Sequence, residues 1–275
     1  AADRLRPVSE TPRLDAEVML RHAAGLDRTA LFLALRDPAP DAVRVRFGRL
    51  VERRLGGEPV AYVTGSREFM GLSLAVTADV LVPRPETELL VEWALSVLPD
   101  LGAPVRAVDV GAGSGAIAVS LAALVPDPIE VTAVEPSAGA RAVIARNAEA
   151  LLPPARRERL RIVDGNLLAR EPASFGIVLA NLPSLTPAQI AENPALAAEP
   201  RMALDGGPAG LDLIERLIAQ LPARLADRFA VGLELDPSQA TRVAALLSAT
   251  LPCTEVAVIR DYAGLDRHVV ATCLA

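Results

Sequence analysis

Apolar positions near the start of the chain recur at helical spacing. Leu14, Val18 and the run from Leu20 to Ala24 follow Thr11-Pro12, a capping residue and a proline suited to a first helical turn, and they stop at Gly25. A shorter helix is predicted over 29–35. A third opens at Asp41 as its cap and carries Val43, Phe47, Leu50, Val51 and Leu55 on one face before Gly56-Gly57. Three such helices form a small bundle. Over 60–76 the spacing shifts partly to two, with Tyr62, Phe69, Leu72, Leu74 and Val76 around Gly65 and Gly71, which predicts a hairpin. The domain boundary is set at its end, dividing the chain into 1–75 and 76–275.

Beyond position 84, helical patterns alternate with short apolar runs. Strands are predicted over 106–110, 129–134, 160–163, 177–180, 230–234, 255–259 and 268–273, with helices over 114–124 and 137–151. This order predicts an α/β fold, a seven-stranded doubly wound Rossmann-like sheet preceded by the small helical bundle. Only positions 260–267 separate the last two strands, so these form an antiparallel hairpin at the edge of an otherwise parallel sheet. The longest apolar run, 116–125, is interrupted by Ser120 and falls short of the roughly 18 residues of a membrane span. Trp93, beside Leu89, Leu90 and Val97, reads as core, while Glu86 and Glu88 complement the dipole of the helix they open.

Composition narrows the chemistry. With 275 residues, 51% hydrophobic and 23% charged, the chain has the make-up of a folded protein of two domains. Its 28 basic residues are all arginine, so Schiff-base lysines and a P-loop lysine are both excluded. Against 34 acidic residues they leave a net charge of -6, which argues against a nucleic-acid partner. Cys253 and Cys273 sit in no spaced cluster and read as buried thiols in a reducing cytoplasm. His22 and His268 read as surface or edge residues, and no metal site is expected. Positions 1–10, with Asp3, Arg4, Arg6 and Glu10, do not read as a secretory signal.

One segment carries a ligand-binding pattern. Asp109 lies near the end of the first predicted strand of the sheet, and Gly111, Ala112, Gly113, Ser114 and Gly115 lead into a helix, where glycines let a ligand approach the backbone. Glu135 ends the next strand, twenty residues beyond Gly115, where a carboxylate accepts from ribose hydroxyls. The glycine spacing is G-x-G-x-G, unlike the G-x-G-x-x-G of dinucleotide folds. That difference points to S-adenosylmethionine, which needs no pyrophosphate cradle.

Further segments resemble a particular family. Gly57-Glu58-Pro59-Val60-Ala61-Tyr62, Glu68-Phe69 and Val80-Leu81-Val82-Pro83-Arg84-Pro85-Glu86-Thr87-Glu88 are similar to hallmarks of the HemK/PrmC release-factor glutamine N5-methyltransferases. The resemblance continues through Glu199-Pro200-Arg201-Met202-Ala203-Leu204, Gly206-Gly207, Gly210-Leu211 and Asp261-Tyr262-Ala263-Gly264-Leu265-Asp266-Arg267. It implies a cytoplasmic enzyme that methylates the glutamine of the Gly-Gly-Gln motif in peptide chain release factors, with the helical unit gripping the factor. It also implies a catalytic Asn181, whose side-chain oxygen, with the Leu182 carbonyl, holds the acceptor amide. Pro183, Ser184, Arg84 and Glu199 are then expected on the substrate side, and Asn166 and Leu167 at the adenine.

This sequence departs from the family at the catalytic turn. Where the family reads Asn-Pro-Pro-Tyr, it has Asn181-Leu182-Pro183-Ser184, without the first proline's fixed φ and without the aromatic wall. Asn166 stands where the family has an acid. Two alternatives stay open: amino methylation of another acceptor such as nucleic-acid adenine, and a homologue that binds cofactor or release factor with impaired turnover.

Overall fold

The structure is a computed structural model that describes residues 1–126, 129–172, 174–252 and 254–274. It divides into two units, Ala1–Ser66 with Asn193–Ala198, and Arg67–Glu192 with 199–274. The first is built on helices Ala2–Leu5, Pro12–Ala24, Arg28–Ala34, Asp41–Leu55 and Val60–Thr64. Their apolar faces meet in one small core, where Leu5, Met19, Val51 and Val63 are buried and Phe47, Leu50 and Leu55 pack against them. Arg54 donates to Asp15 at 2.9 Å at the edge of this core.

Two local expectations are corrected here. Asp41 lies inside its helix, because Pro40 takes the cap position with backbone angles that proline favours. Residues 60–64 are a helical turn instead of part of a hairpin, since Pro59 sets the entry and left-handed Gly65 ends the turn. The hairpin itself follows as β1 (Ser66–Phe69) and β2 (Leu72–Ala75). The expected boundary at 75 lies after it, whereas its buried side chains, Phe69 and Leu74, join Leu90 and Val91 in the core of the second unit.

That unit holds a seven-stranded sheet. Its strands are β3 (Val105–Val110), β4 (Ile129–Val134), β5 (Leu160–Val163), β6 (Phe175–Asn181), β7 (Leu225–Glu234), β8 (Glu255–Arg260) and β9 (Asp266–Cys273). They lie in the order β5-β4-β3-β6-β7-β9-β8. Pairs among β3 to β7 are parallel, and β9 runs antiparallel to both β7 and β8. Alternate residues of each central strand feed opposite cores: Ala107, Ile177 and Leu179 pack with helices Pro85–Leu101, Ala116–Leu124 and Ala138–Leu151. Val108, Val178 and Ala180 pack with helices Asp212–Gln220 and Ala240–Thr250. Central strands buried on both faces explain the continuous apolar runs in the sequence.

His268 is corrected from a surface or edge residue to a fully buried one. The reason is topological: β9 inserts between β7 and β8, and His268 faces Glu234 in the register, with Nε2 3.4 Å from Oε2. Asp261 organises the turn before β9 by accepting from the backbone N–H groups of Ala263 and Leu265. Cys273 is free and half-buried, whereas Cys253 lies outside the described residues. Among the described residues, no helix is long and apolar enough to cross a membrane.

Candidate active site

The winding of the sheet reverses at β3, which has β4 on one side and β6 on the other. Crevices in open α/β sheets form beyond the carboxyl ends of strands at such a switch point. A cleft opens there, and most of the expected site residues line it. From the end of β3 come Asp109, Gly111, Ala112, Gly113 and Ser114; from β4, Glu135; from the segment after β5, Asn166 and Leu167. The end of β6 supplies Asn181, Leu182 and Pro183, and Arg84 adds to the wall. Gly115, Ser184 and Glu199 are outside this lining. Gly115 is instead the left-handed residue that precedes helix Ala116–Leu124.

The glycine loop is held to the sheet through its own backbone. Gly111 and Ala112 donate to the Val134 carbonyl at 2.8 and 3.1 Å, Gly113 donates to Glu135 Oε2 at 2.9 Å, and Gly115 donates to the Ala112 carbonyl at 2.7 Å. Four N–H groups of the loop therefore already have acceptors within the protein. A pyrophosphate would need those donors free. The polar capacity that remains toward the cleft is acidic. Glu135 accepts from Gly113 and from Ser137 N–H at 2.8 Å, one bond to each oxygen, so each keeps capacity for a second donor.

Asp109 is almost completely buried. Its Oδ2 accepts from Ala118 N–H at 3.0 Å while Oδ1 has no partner. Burial, opposed by the Ala118 hydrogen bond and reinforced by the Glu135 charge, pushes its carboxyl up to about 7. When ionised, a carboxylate beneath the cleft wall attracts a cationic ligand through its charge.

Across the cleft, Asn181 ends β6 and donates from Nδ2 to Thr87 Oγ1 at 3.0 Å. That bond leaves its Oδ1 as the end of the amide that can accept. Leu182 follows, buried in the core with Val110 and Leu211. A Cβ on Gly111 would stand 2.9 Å from Leu182 Cδ2, so the leucine fills the space that the glycine leaves open. The turn after Asn181 and the glycine loop are thus in direct contact.

Glu199 acts from behind the wall. It is buried, accepts from Val82 N–H at 3.0 Å and pairs with Arg84, which fixes the Val82-Pro83-Arg84 segment. Asn166 is exposed, and its Oδ1 accepts from Arg216 at 3.3 Å. Leu167 is buried at the cleft with a left-handed backbone, φ 59°, a conformation costing a leucine roughly 1–2 kcal/mol. Leu168 N–H, held by Gln220 Oε1 at 2.7 Å, anchors the turn.

Thr87, Asp79, Ile117 and Met202, to which the sequence pattern assigns no site role, also line the cleft. Thr87 had a signal, since it lies in the Pro83–Glu88 stretch. Met202 is an exposed large apolar side chain in the Glu199–Leu204 stretch.

Comparison with known proteins agrees along both units. A model of the PrmC N-terminal domain family matches residues 1–65. The chain is similar to the release factor glutamine methyltransferase of Burkholderia pseudomallei, 41% identical over 272 residues that cover 97% of this chain and 94% of the relative. The release factor glutamine methyltransferase of Bordetella pertussis is 40% identical over 260 residues, 93% of each chain. Among solved structures, a methyltransferase from Pyrococcus furiosus has the same fold, with TM-score 0.54, 16% identity, and coverage of 82% of this chain and 98% of that one.

Proposed function

The chain belongs to the family of release factor glutamine methyltransferases, and from that premise we propose how its cleft serves a methyl transfer from S-adenosylmethionine to the glutamine amide of a Gly-Gly-Gln motif. The protein substrate is a peptide chain release factor, met in the cytoplasm and recognised by the helical first unit. S-adenosylmethionine supplies a methyl group on a positively charged sulfur. Asp109 and Glu135 suit that charge and the ribose hydroxyls. The internally bonded amides of the glycine loop disfavour a dinucleotide.

An amide nitrogen is a weak nucleophile, because its lone pair is delocalised into the carbonyl. The cleft must therefore hold the nitrogen in line with the methyl group. Asn181 Oδ1 accepts one N–H of the glutamine side chain, the Leu182 carbonyl accepts the other, and both stabilise the positive charge that develops on nitrogen. The amide nitrogen held by Asn181 and Leu182 would take the methyl group while sulfur keeps the electron pair of its bond to carbon, and the surplus proton would leave to water. Glu135 holds the cofactor loop, and Thr87 keeps the Asn181 amide from rotating.

The observation that carries this reading is the Asn181–Thr87 hydrogen bond beside the glycine loop. Intact-mass analysis of a release factor incubated with the chain and S-adenosylmethionine tests it. One added methyl group, mapped to the Gly-Gly-Gln glutamine, is expected. No transfer, despite demonstrated cofactor binding and complex formation, overturns it in favour of a binding homologue without turnover.

A further inference from the structure

The turn that follows Asn181 is held from behind by a side chain outside the cleft. Gln239 ends the short helical turn Pro237–Gln239 and is buried. Its Nε2 donates to the Ser184 carbonyl at 2.8 Å, to the Gly210 carbonyl at 3.2 Å and to the Ala209 carbonyl at 3.3 Å. One amide thus gathers three carbonyls from two loops, while its Oε1 is buried without a partner. Gly210, at φ 70°, permits the approach: a Cβ there would collide with the Ser184 carbonyl oxygen and with Gln239 Nε2.

The neighbouring contacts act on the same turn. Leu185 N–H donates to the Leu204 carbonyl at 3.1 Å, and Gly206 N–H donates to the Leu185 carbonyl at 2.9 Å. Asp236 accepts from Gln189 Nε2 at 3.2 Å, and Gln189 Oε1 accepts from Thr186 N–H at 2.8 Å. Residues 236–239 therefore hold the turn at both Ser184 and Thr186. Leu182 lacks a ring to fix the direction of its carbonyl, so restraint must come from such external bonds.

We propose that Gln239 is the positioning residue of the acceptor turn: its buried amide pins Ser184 to the Ala209-Gly210 loop and so fixes the Leu182–Ser184 backbone that presents the acceptor. The proposal rests on the functional reading above for its kinetic consequence, but the clamp itself does not.

Gln239→Met keeps length and volume and removes the donors, whereas Gln239→His retains an N–H. Hydrogen-exchange mass spectrometry on the full chain should show faster exchange at 183–186 and 206–211 in Gln239→Met, with β3, β6 and the glycine loop unchanged. On a release factor, kcat should fall by about tenfold or more, as expected for a small misplacement of reacting atoms. KM and the cofactor Kd should hold, and Gln239→His should recover part of the loss. Unchanged exchange in the two loops overturns the clamp, whatever the acceptor proves to be. Loosened loops with unchanged kcat, or a parallel fall of kcat, cofactor affinity and Tm, overturn the positioning role. A wild-type chain that methylates nothing counts against the functional reading alone, and exchange still decides the clamp.

Discussion

Asn181 gives an Nδ2 hydrogen to Thr87 Oγ1 at 3.0 Å, so a residue in the first turn of helix Pro85–Leu101 holds the Asn181 amide with its Oδ1 left to accept. The bond joins the end of β6 to the segment that carries Arg84. Its value lies in orientation. Without the bond to Thr87, the amide is free to rotate by half a turn and present N–H groups where an acceptor is needed.

Thr87→Val keeps the shape and removes the oxygen. It should lower kcat by about tenfold, the scale of a modest misalignment of reacting atoms, and leave cofactor affinity unchanged. Thr87→Ser should retain most activity, and Asn181→Ala should abolish transfer. Steady-state kinetics on a release factor, paired with calorimetric titration of cofactor, separates these effects. A Thr87→Val variant with wild-type kcat would remove Thr87 from the mechanism.

Much of this architecture is legible in the sequence because it depends on local pattern. The double-sided apolar run at 177–180 announces a buried parallel strand, and the glycines after Asp109 mark the loop that meets the cleft. What pattern cannot give is pairing between distant segments. Thr87 and Asn181 are 94 positions apart, and Glu199 reaches Val82 across 117. His268 misleads for the same reason: its place depends on β9 inserting between β7 and β8, which no local spacing encodes. The internal bonding of the glycine loop is equally non-local, because Val134 ends the next strand and Glu135 follows it.

Asp109 predicts a pH dependence of stability. Its folded value, about 7, lies above the ordinary 3.8 because the buried carboxylate is poorly solvated. The folded state therefore holds a proton that the unfolded state has released between pH 4 and 7. The associated stability is complete below about pH 4 and is lost as pH rises through about 7, amounting to on the order of 4 kcal/mol at most. Relative to Asp109→Asn, the wild type should lose stability from pH 5 to pH 7.5 and then level off. Urea denaturation of both proteins across this range measures the difference. A pH-independent difference would show that Asp109 keeps its charge. A cationic cofactor should favour the ionised form, so binding at pH 6 should release a proton, seen calorimetrically as a dependence on buffer ionisation enthalpy.

Glu135 should dominate cofactor selection. Glu135→Ala should weaken S-adenosylmethionine or its demethylated product by roughly 1–3 kcal/mol, the cost of leaving buried ligand hydroxyls unpaired. Glu135→Gln, which keeps an oxygen acceptor, should lose less. NAD should not bind, because the loop amides that would hold its pyrophosphate already bond to Val134, Glu135 and Ala112. Tight NAD binding by the wild type would contradict the proposed cofactor.

The altered catalytic turn gives the sharpest test of acceptor chemistry. Leu182 is buried against Gly111 and within the core around Val110 and Leu211, so Leu182→Pro removes packing as well as fixing φ. Ser184 has a different constraint: its backbone carbonyl is held by Gln239, while its side chain is only half-buried. The double variant Leu182→Pro, Ser184→Tyr should therefore raise kcat on a release factor, keep the cofactor Kd, and lower stability by about 1–3 kcal/mol, the scale of losing a buried aliphatic side chain. Ser184→Tyr alone should show the gain without that stability loss. Peptide mass spectrometry of the Gly-Gly-Gln glutamine, run beside thermal denaturation of each variant, separates the two contributions. A kcat that falls in both variants, with cofactor binding intact, would mean that the leucine and serine fit an acceptor needing more room than a tyrosine leaves. The same turn would then select against the glutamine that the family methylates.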